Sequence, residues 1–99
     1  MTERQKMLSG ELYCAADEEL SSAHARAISL CERLNCGTLS EEERQNTVRE
    51  LLGKCGKTVH IGRGFWCDYG CNIEVGENFF TNYGVVILDV CKVKIGNNC

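Results

Sequence analysis

Apolar residues in the first half of the chain recur at the spacing of a helix. Between residues 18 and 35 they return every three or four positions, which predicts an amphipathic helix with one apolar face. Asp17 lies where a helix N-cap belongs, and the Asn35-Cys36-Gly37 sequence ends the segment with residues that tolerate positive φ. The predicted apolar face consists of Leu20, Ala23, Ala27, Ile28, Cys31 and Leu34.

A second helix is predicted to begin after Ser40. Ser40 and Glu43 have the spacing of a capping box, and Gly56 is expected to end the helix. Its apolar face consists of Val48, Leu51 and Leu52. Because the chain up to about Leu8 is predicted to add a short helix, residues 1–57 are predicted to form a helical N-terminal domain.

After Lys57 the helical spacing gives way to a repeat of six residues. From residue 75 the chain divides into the sixes VGENFF, TNYGVV and ILDVCK, followed by the two-residue step VK. The tetrads VHIG, IEVG and VKIG recur at 59–62, 73–76 and 93–96. The first positions are Val75, Thr81, Ile87 and Ile95, and the fifth positions are Phe79, Val85, Cys91 and Cys99. Gly62, Gly76 and Gly96 are predicted to lie where the backbone bends and a side chain would be crowded.

This six-residue pattern predicts a parallel β-helix over residues 58–99. Each unit of six makes one strand and one turn, and three units complete a coil whose first and fifth side chains point inward. Short antiparallel strands joined by Gly and Asn turns are the alternative. That alternative explains the glycines but not the six-residue phase that continues through residues 75–92.

Composition and charge exclude several classes of protein. The 99 residues with 43% hydrophobic content are sufficient for one folded domain. A net charge of −3 argues against a general nucleic-acid surface, which needs a basic stripe. No apolar run reaches membrane-spanning length, and the N-terminus lacks the apolar stretch of a signal peptide, so a cytoplasmic protein with no membrane partner is predicted.

The eight cysteines leave two interpretations open. Without a signal peptide or a Cys-x-x-Cys pair, both disulfide-stapled and zinc-binding readings are weakened, and no metal site is predicted. Several cysteines occupy positions where the pattern requires a small apolar residue, and free Cys packs well there. Reduced structural thiols are therefore predicted, with a cysteine-based redox or metal protein as the alternative.

Two stretches resemble the maltose and galactoside O-acetyltransferases of the hexapeptide-repeat superfamily. They are GELY at residues 10–13 and CDYGCNIEVGENFFTNYGVVILDVCKVKIGNN at residues 67–98, so the resemblance spans essentially the whole chain. It implies an α+β fold in which a small helical domain precedes a left-handed parallel β-helix. It also implies a homotrimer with active sites between subunits, and acetyl transfer from acetyl-coenzyme A to a sugar hydroxyl. In that chemistry a histidine removes the hydroxyl proton and nearby donors stabilise the oxyanion.

The resemblance also implies candidate site residues. Asn82 matches the family's active-site asparagine in the FF-x-N motif and is the catalytic candidate, because its amide can both donate and accept hydrogen bonds. Asp17 and Asp68 match positions near the acceptor sugar and are the substrate-binding candidates. Asp89 lies close to another polar active-site position, although a turn carboxylate is the simpler role. The plain structural alternatives are a turn for Asn82, a helix cap for Asp17 and a solvated corner for Asp68.

Other family features are missing from these 99 residues. In the family, the catalytic histidine and the main coenzyme-binding coils come later in the sequence, beyond the position that matches Cys99. His24 is expected on a helix surface, and alternation sends the His60 side chain outward. Phe80 and Tyr83 are also expected to point outward and to line a cleft or a subunit interface.

We therefore expect the N-terminal portion of a longer enzyme, with a truncated β-helix that is inactive as it stands. The alternative is a non-catalytic interaction module that oligomerises through its open β-helix edge, where unpaired backbone groups would face another chain.

Overall fold

In the computed structural model, which describes residues 2–99, three helices are followed by six short strands. The helices are α1 (Glu3–Leu8), α2 (Glu18–Asn35) and α3 (Glu41–Leu51). The strands are β1 (Val59–Ile61), β2 (Trp66–Cys67), β3 (Ile73–Val75), β4 (Phe79–Thr81), β5 (Val86–Ile87) and β6 (Val93–Ile95). All three predicted helices are present.

The helix starts follow the predicted capping chemistry. Asp17 accepts hydrogen bonds from the backbone N–H groups of Glu19 and Leu20, at 3.1 and 3.4 Å. Ser40 and Glu43 form the reciprocal capping box, with both bonds at 3.2 Å. These bonds satisfy N–H groups that the first turn of a helix leaves without an intrahelical partner.

The end of α3 differs from the prediction. The helix ends at Leu51 rather than at Gly56, and Leu52 is already extended, with φ −78° and ψ 148°. The reason is tertiary: the Gly53 N–H donates to the carbonyl oxygens of Gly70 and Ile73, at 3.2 and 3.0 Å. Pairing with the first coil therefore replaces the last helical turn, an outcome that local sequence does not encode.

The strands form three two-stranded parallel sheets, with β1 on β4, β2 on β5 and β3 on β6. On every sheet the partner lies 20 residues further along the chain, as when Val59 pairs with Phe79 and Ile73 with Val93. This offset corresponds to three units of six plus the predicted two-residue step. Residues 59–95 thus wind as successive coils of a parallel β-helix, and the antiparallel alternative is wrong.

One apolar core joins the helices to the coils. It is filled by one face each of α2 and α3 and by the inward side chains of the first coil, with Cys31 and Cys67 in contact at 3.9 Å between their Sγ atoms. Leu30 is buried although it lies outside the predicted stripe, whereas Ile28 is only half-buried. The core residues include Ala27, Leu34, Val48, Leu51, Val59, Ile61, Phe65, Ile73, Val75 and Phe79.

The predicted inward side chains are less completely buried in the second coil than in the first. Val75, Phe79 and Thr81 are buried as predicted. Val85, Ile87 and Ile95 are half-buried, and Cys91 and Cys99 are exposed. Within residues 2–99 no further coil lies over these positions, and a β-helix buries each coil with its neighbours.

Candidate functional site

A buried carboxylate holds the corner between β2 and β3. Asp89 is fully buried, and its Oδ1 accepts the backbone N–H groups of Asp68 and Tyr69, at 3.1 and 2.9 Å. Its Oδ2 accepts the Asn72 N–H at 3.3 Å, and the Asn72 side chain donates to the Asp89 carbonyl at 2.8 Å. A residue of the second coil therefore fixes the turn of the first. We name residues 68–72 the Asp68 corner.

The Asp68 side chain is half-buried at this corner. Its carboxylate oxygens have no hydrogen-bond partner among residues 2–99, so they remain free to accept from a ligand. Burial raises the pKa of the Asp68 carboxyl, the Asp89 charge raises it further, and nearby His24 acts in the opposite direction. Asp68 is thus a carboxylate with unused acceptor capacity in a partly desolvated place.

His24 is brought to the same corner from α2. Its Nδ1 lies 2.8 Å from the main-chain oxygen of Asp68, and its ring meets Tyr69 edge-on with 6.1 Å between centroids. The side chain is exposed, as predicted. Its neighbourhood was not predicted, although His24 lies two helical turns beyond Asp17, a spacing that keeps both near one side of α2.

A cleft of about 370 Å³ opens between α2 and the Asp68 corner. Its side chains combine aromatic surface with polar groups and include no Lys or Arg within the described chain. The main lining residues are Tyr13, Ser21, His24, Asp68, Tyr69 and Val90. Such a mixture of apolar wall and few converging polar groups is typical of a small-molecule site.

The structure places Asp17 outside this cleft lining. Its Oδ2 accepts both capping hydrogen bonds at the start of α2. The residues that line the cleft include Ala15 and Ser21 on either side of Asp17 in sequence, but not Asp17 itself. The observed contacts of Asp17 are those of a helix cap.

Substitution of Asp17 distinguishes the cap from a charge-dependent role. Asp17→Ala is expected to lower the free energy of unfolding by about 1 kcal/mol, because the first turn of α2 loses its acceptor. Asp17→Asn, the matched control, keeps a capping oxygen and is expected to change stability by a few tenths of a kcal/mol. Urea unfolding monitored by circular dichroism measures both. Equal losses in the two variants would show that charge, not capping, stabilises this helix end.

Asn82 lies at a different corner, between β4 and β5. Its side chain is exposed, and its Oδ1 accepts the Tyr83 N–H at 2.9 Å, a local turn contact. A cleft of about 240 Å³ opens beside it, lined by Arg44, His60 and Tyr83 among others. Within the described residues neither Asp17 nor Asn82 lines the cleft beside Asp68, so the three predicted site residues do not share one cleft in a single chain.

The outer surfaces of the coils carry large apolar side chains. His60 points outward as predicted and stacks on Phe80, with 5.1 Å between ring centroids and 13° between planes. Phe80, Tyr83 and Val86 are 59%, 78% and 57% exposed. Phe80 lies on β4, Val86 on β5 and Tyr83 between these two strands, so the exposed side chains belong to two different sheets.

The fold of the chain agrees with comparisons to known proteins. The family model described as the maltose acetyltransferase hexapeptide capping motif matches residues 6–56. Nodulation protein L of Rhizobium meliloti is 43% identical over 98 residues, covering 97% of this chain and 53% of that protein. A maltose O-acetyltransferase from Clostridium difficile has a TM-score of 0.93 at 46% identity, covering 99% of this chain and 53% of that one. A hexapeptide-repeat acetyltransferase from Vibrio cholerae, solved with acetyl-coenzyme A, has a TM-score of 0.86 at 35% identity, covering 97% and 52%.

Coils of six-residue units beneath a cap of helices define a hexapeptide-repeat protein. The chain belongs to the maltose and galactoside O-acetyltransferase family of hexapeptide-repeat acyltransferases. It spans about half the length of the relatives that it matches. No helix among residues 2–99 has both the length and the apolar character needed to cross a bilayer.

Proposed function

We propose that this chain supplies the acceptor side of a sugar O-acetyltransferase that moves acetyl from acetyl-coenzyme A to a sugar hydroxyl. The observation that carries the proposal is the cleft at the Asp68 corner. Its unpaired carboxylate lies beside an aromatic wall, and the corner is fixed from the next coil by Asp89. Carboxylates bind sugar hydroxyls well because each oxygen accepts more than one hydrogen bond.

We also propose an architecture for the whole protein. Residues 1–57 form the helical capping domain and residues 58–99 the first coils of a left-handed β-helix, and together they are the N-terminal portion of a longer cytoplasmic enzyme. The similarity to a maltose O-acetyltransferase over 99% of this chain but 53% of that one supports this arrangement. The 20-residue offset on all three sheets supports the continuous winding.

The site itself is proposed to be completed between copies of the chain in a homotrimer. Asp68 and Asn82 lie at different corners of the coil, so a second copy is needed to bring Asn82 to the Asp68 cleft. Exposed Phe80, Tyr83 and Val86 on the outer surfaces support such a contact. Asp17 then supports the cleft by capping α2, in addition to the substrate-binding role that the family resemblance implies for it.

Each polar group has a distinct proposed role in the transfer. Asp68 accepts hydrogen bonds from acceptor hydroxyls and orients the sugar. The Asn82 amide donates to the oxyanion that forms when the hydroxyl attacks the thioester carbonyl. We assign the general base to a histidine outside these 99 residues, as the family resemblance implies, and exposed His60 stacks on Phe80 instead. The 99-residue chain alone is therefore proposed to be inactive.

A hybrid enzyme tests this function. Residues 1–99 are joined to the remaining residues of the Clostridium difficile maltose O-acetyltransferase, and release of coenzyme A is followed with maltose, glucose and a galactoside as acceptors. The hybrid is expected to acetylate at least one of them, with product identified by mass spectrometry, and the 99-residue chain is expected to release no coenzyme A above background. A folded hybrid that binds acetyl-coenzyme A but acetylates none of these sugars would contradict the proposal.

One observation favours a second function, a non-catalytic module. Within residues 2–99, strands β5 and β6 are each paired on one side only, so their other backbone edges are open, whereas the far edge of β4 is met by Cys99, whose carbonyl accepts the Phe80 N–H at 2.8 Å. A module of this kind would join other subunits through that edge. Size-exclusion chromatography of the 99-residue chain mixed with the hybrid distinguishes the two, since mixed oligomers with unchanged turnover per hybrid subunit would favour the module.

A further inference from the structure

We infer that His24 is a preset hydrogen-bond acceptor for a neutral polyol, its Nε2 and the Asp68 carboxylate together receiving two neighbouring hydroxyl groups. This inference rests on the proposed function, because it assigns a further binding residue to the same cleft. It goes beyond that function in assigning a binding role to a residue that lies on the helical cap.

The tautomer of His24 follows from its contact with Asp68. The main-chain oxygen of Asp68 has no proton to donate, so the 2.8 Å contact requires the proton to be on Nδ1. In a neutral imidazole the other nitrogen is then an acceptor. Nε2 has no hydrogen-bond partner among residues 2–99, and the ring lines the cleft.

The orientation of the ring is held from two directions. The Asp68 carbonyl belongs to a corner whose backbone N–H groups are fixed by buried Asp89. The edge-on contact with Tyr69, itself nearly buried, holds the other side of the ring. Because the ring is already held in place, the His24 side chain loses little conformational entropy when a ligand binds. The hydrogen bond to Nε2 therefore contributes more to affinity.

The charges around the cleft select a neutral ligand. Asp68 faces the cleft, Asp89 lies buried behind it, and the lining includes no Lys or Arg within the described residues. An anion would meet this negative field without a matching cation. A vicinal diol, in contrast, brings two O–H donors to two unpaired acceptors, while Tyr13 and Tyr69 offer apolar ring surface to its carbon skeleton.

Nitrogen-15 NMR of the 99-residue chain reads the tautomer directly. The chain has two histidines, so His60→Asn assigns the remaining imidazole signals to His24. At mildly alkaline pH we expect the Nδ1–H form for His24, opposite to the Nε2–H form that free neutral histidine prefers. Addition of a methyl glucoside should shift the His24 Nε2 resonance toward lower frequency. The per-O-methylated glucoside, which cannot donate, and inorganic phosphate should leave it unchanged.

Two variants separate ligand binding from positioning. His24→Asn retains a side-chain N–H for the Asp68 carbonyl but lacks Nε2, whereas His24→Ala lacks both. Both are expected to weaken binding of the methyl glucoside by about three- to tenfold. Amide shifts of residues 68–72 should be retained in His24→Asn. An Nε2–H tautomer, wild-type affinity in His24→Asn, or no binding by the folded chain would each overturn the inference.

The hybrid enzyme makes the two failures distinguishable. If the hybrid acetylates sugars and His24→Asn leaves the KM for the sugar unchanged, the function stands and the role of His24 falls. If the glucoside shifts Nε2 in the 99-residue chain but the hybrid transfers no acetyl, the role of His24 stands and the transferase proposal falls.

Discussion

Replacing Asp89 with Ala is expected to lower the free energy of unfolding by several kcal/mol. Three backbone N–H groups, those of Asp68, Tyr69 and Asn72, lose their acceptor at a corner where water has little access. Each buried donor left without a partner costs about 1–3 kcal/mol. Because small domains are stable by only about 5–15 kcal/mol in total, a loss of this size removes a large part of the free energy of unfolding.

Asp89→Asn is the matched control for this prediction. Its carbonyl oxygen can still accept the N–H groups of Asp68 and Tyr69, but its NH₂ group then faces the N–H of Asn72. An intermediate loss is therefore expected. Urea unfolding monitored by Trp66 fluorescence and circular dichroism measures all three proteins. Wild-type stability in Asp89→Ala would show that these hydrogen bonds do not hold the Asp68 corner.

Gly53→Ala is expected to have the second-largest effect. A Cβ at Gly53 would lie 2.1 Å from the carbonyl oxygen of Cys71 and 3.4 Å from that of Ile73. Both atoms belong to the backbone, so no side-chain rotation relieves the contact. Overpacking of this kind costs about 1–3 kcal/mol or more, and here it also strains the hydrogen bonds that tie the end of α3 to the first coil.

Gly96→Ala provides the comparison, because a Cβ at Gly96 would meet no atom within 4 Å. Its stability is expected to stay within about 0.5 kcal/mol of the wild type. Midpoints of thermal and urea unfolding, measured side by side, give the difference. Similar losses for the two alanine variants would mean that close backbone approach at Gly53 is not the source of the effect.

Local sequence was sufficient for the starts of α2 and α3 and for the winding of the coils, but not for the end of α3. The caps at Asp17 and Ser40 depend on contacts within four residues, so spacing alone predicted them. The six-residue phase predicted stacked coils of three units, and the two-residue step accounts for the observed offset of 20 residues between paired strands. The crowding predicted at Gly62 and Gly76 is confirmed, since a Cβ there would lie 2.8 and 2.1 Å from its nearest neighbour. At Gly96 it is wrong within the described residues.

The arrangement of the cleft depends on contacts between distant segments. Asp89 holds a corner about 20 residues earlier in the chain, and His24 reaches Asp68 across 44 residues. Neither contact has a local signature, because it arises only when one coil is stacked on another or when α2 packs on β2. The family resemblance indicated Asp68 but carried no information on how its surroundings leave the carboxylate unpaired.

The most direct test of the acceptor-side assignment is the pair of KM values of the hybrid enzyme carrying Asp68→Asn. The amide keeps the shape of the carboxylate but removes its charge and one acceptor, and a hydrogen bond to a charged group contributes about 1.5–3 kcal/mol. We predict that the KM for the sugar rises about tenfold or more while the KM for acetyl-coenzyme A stays within about twofold. Equal increases in both values, or no change in the sugar KM of a folded variant, would contradict the account.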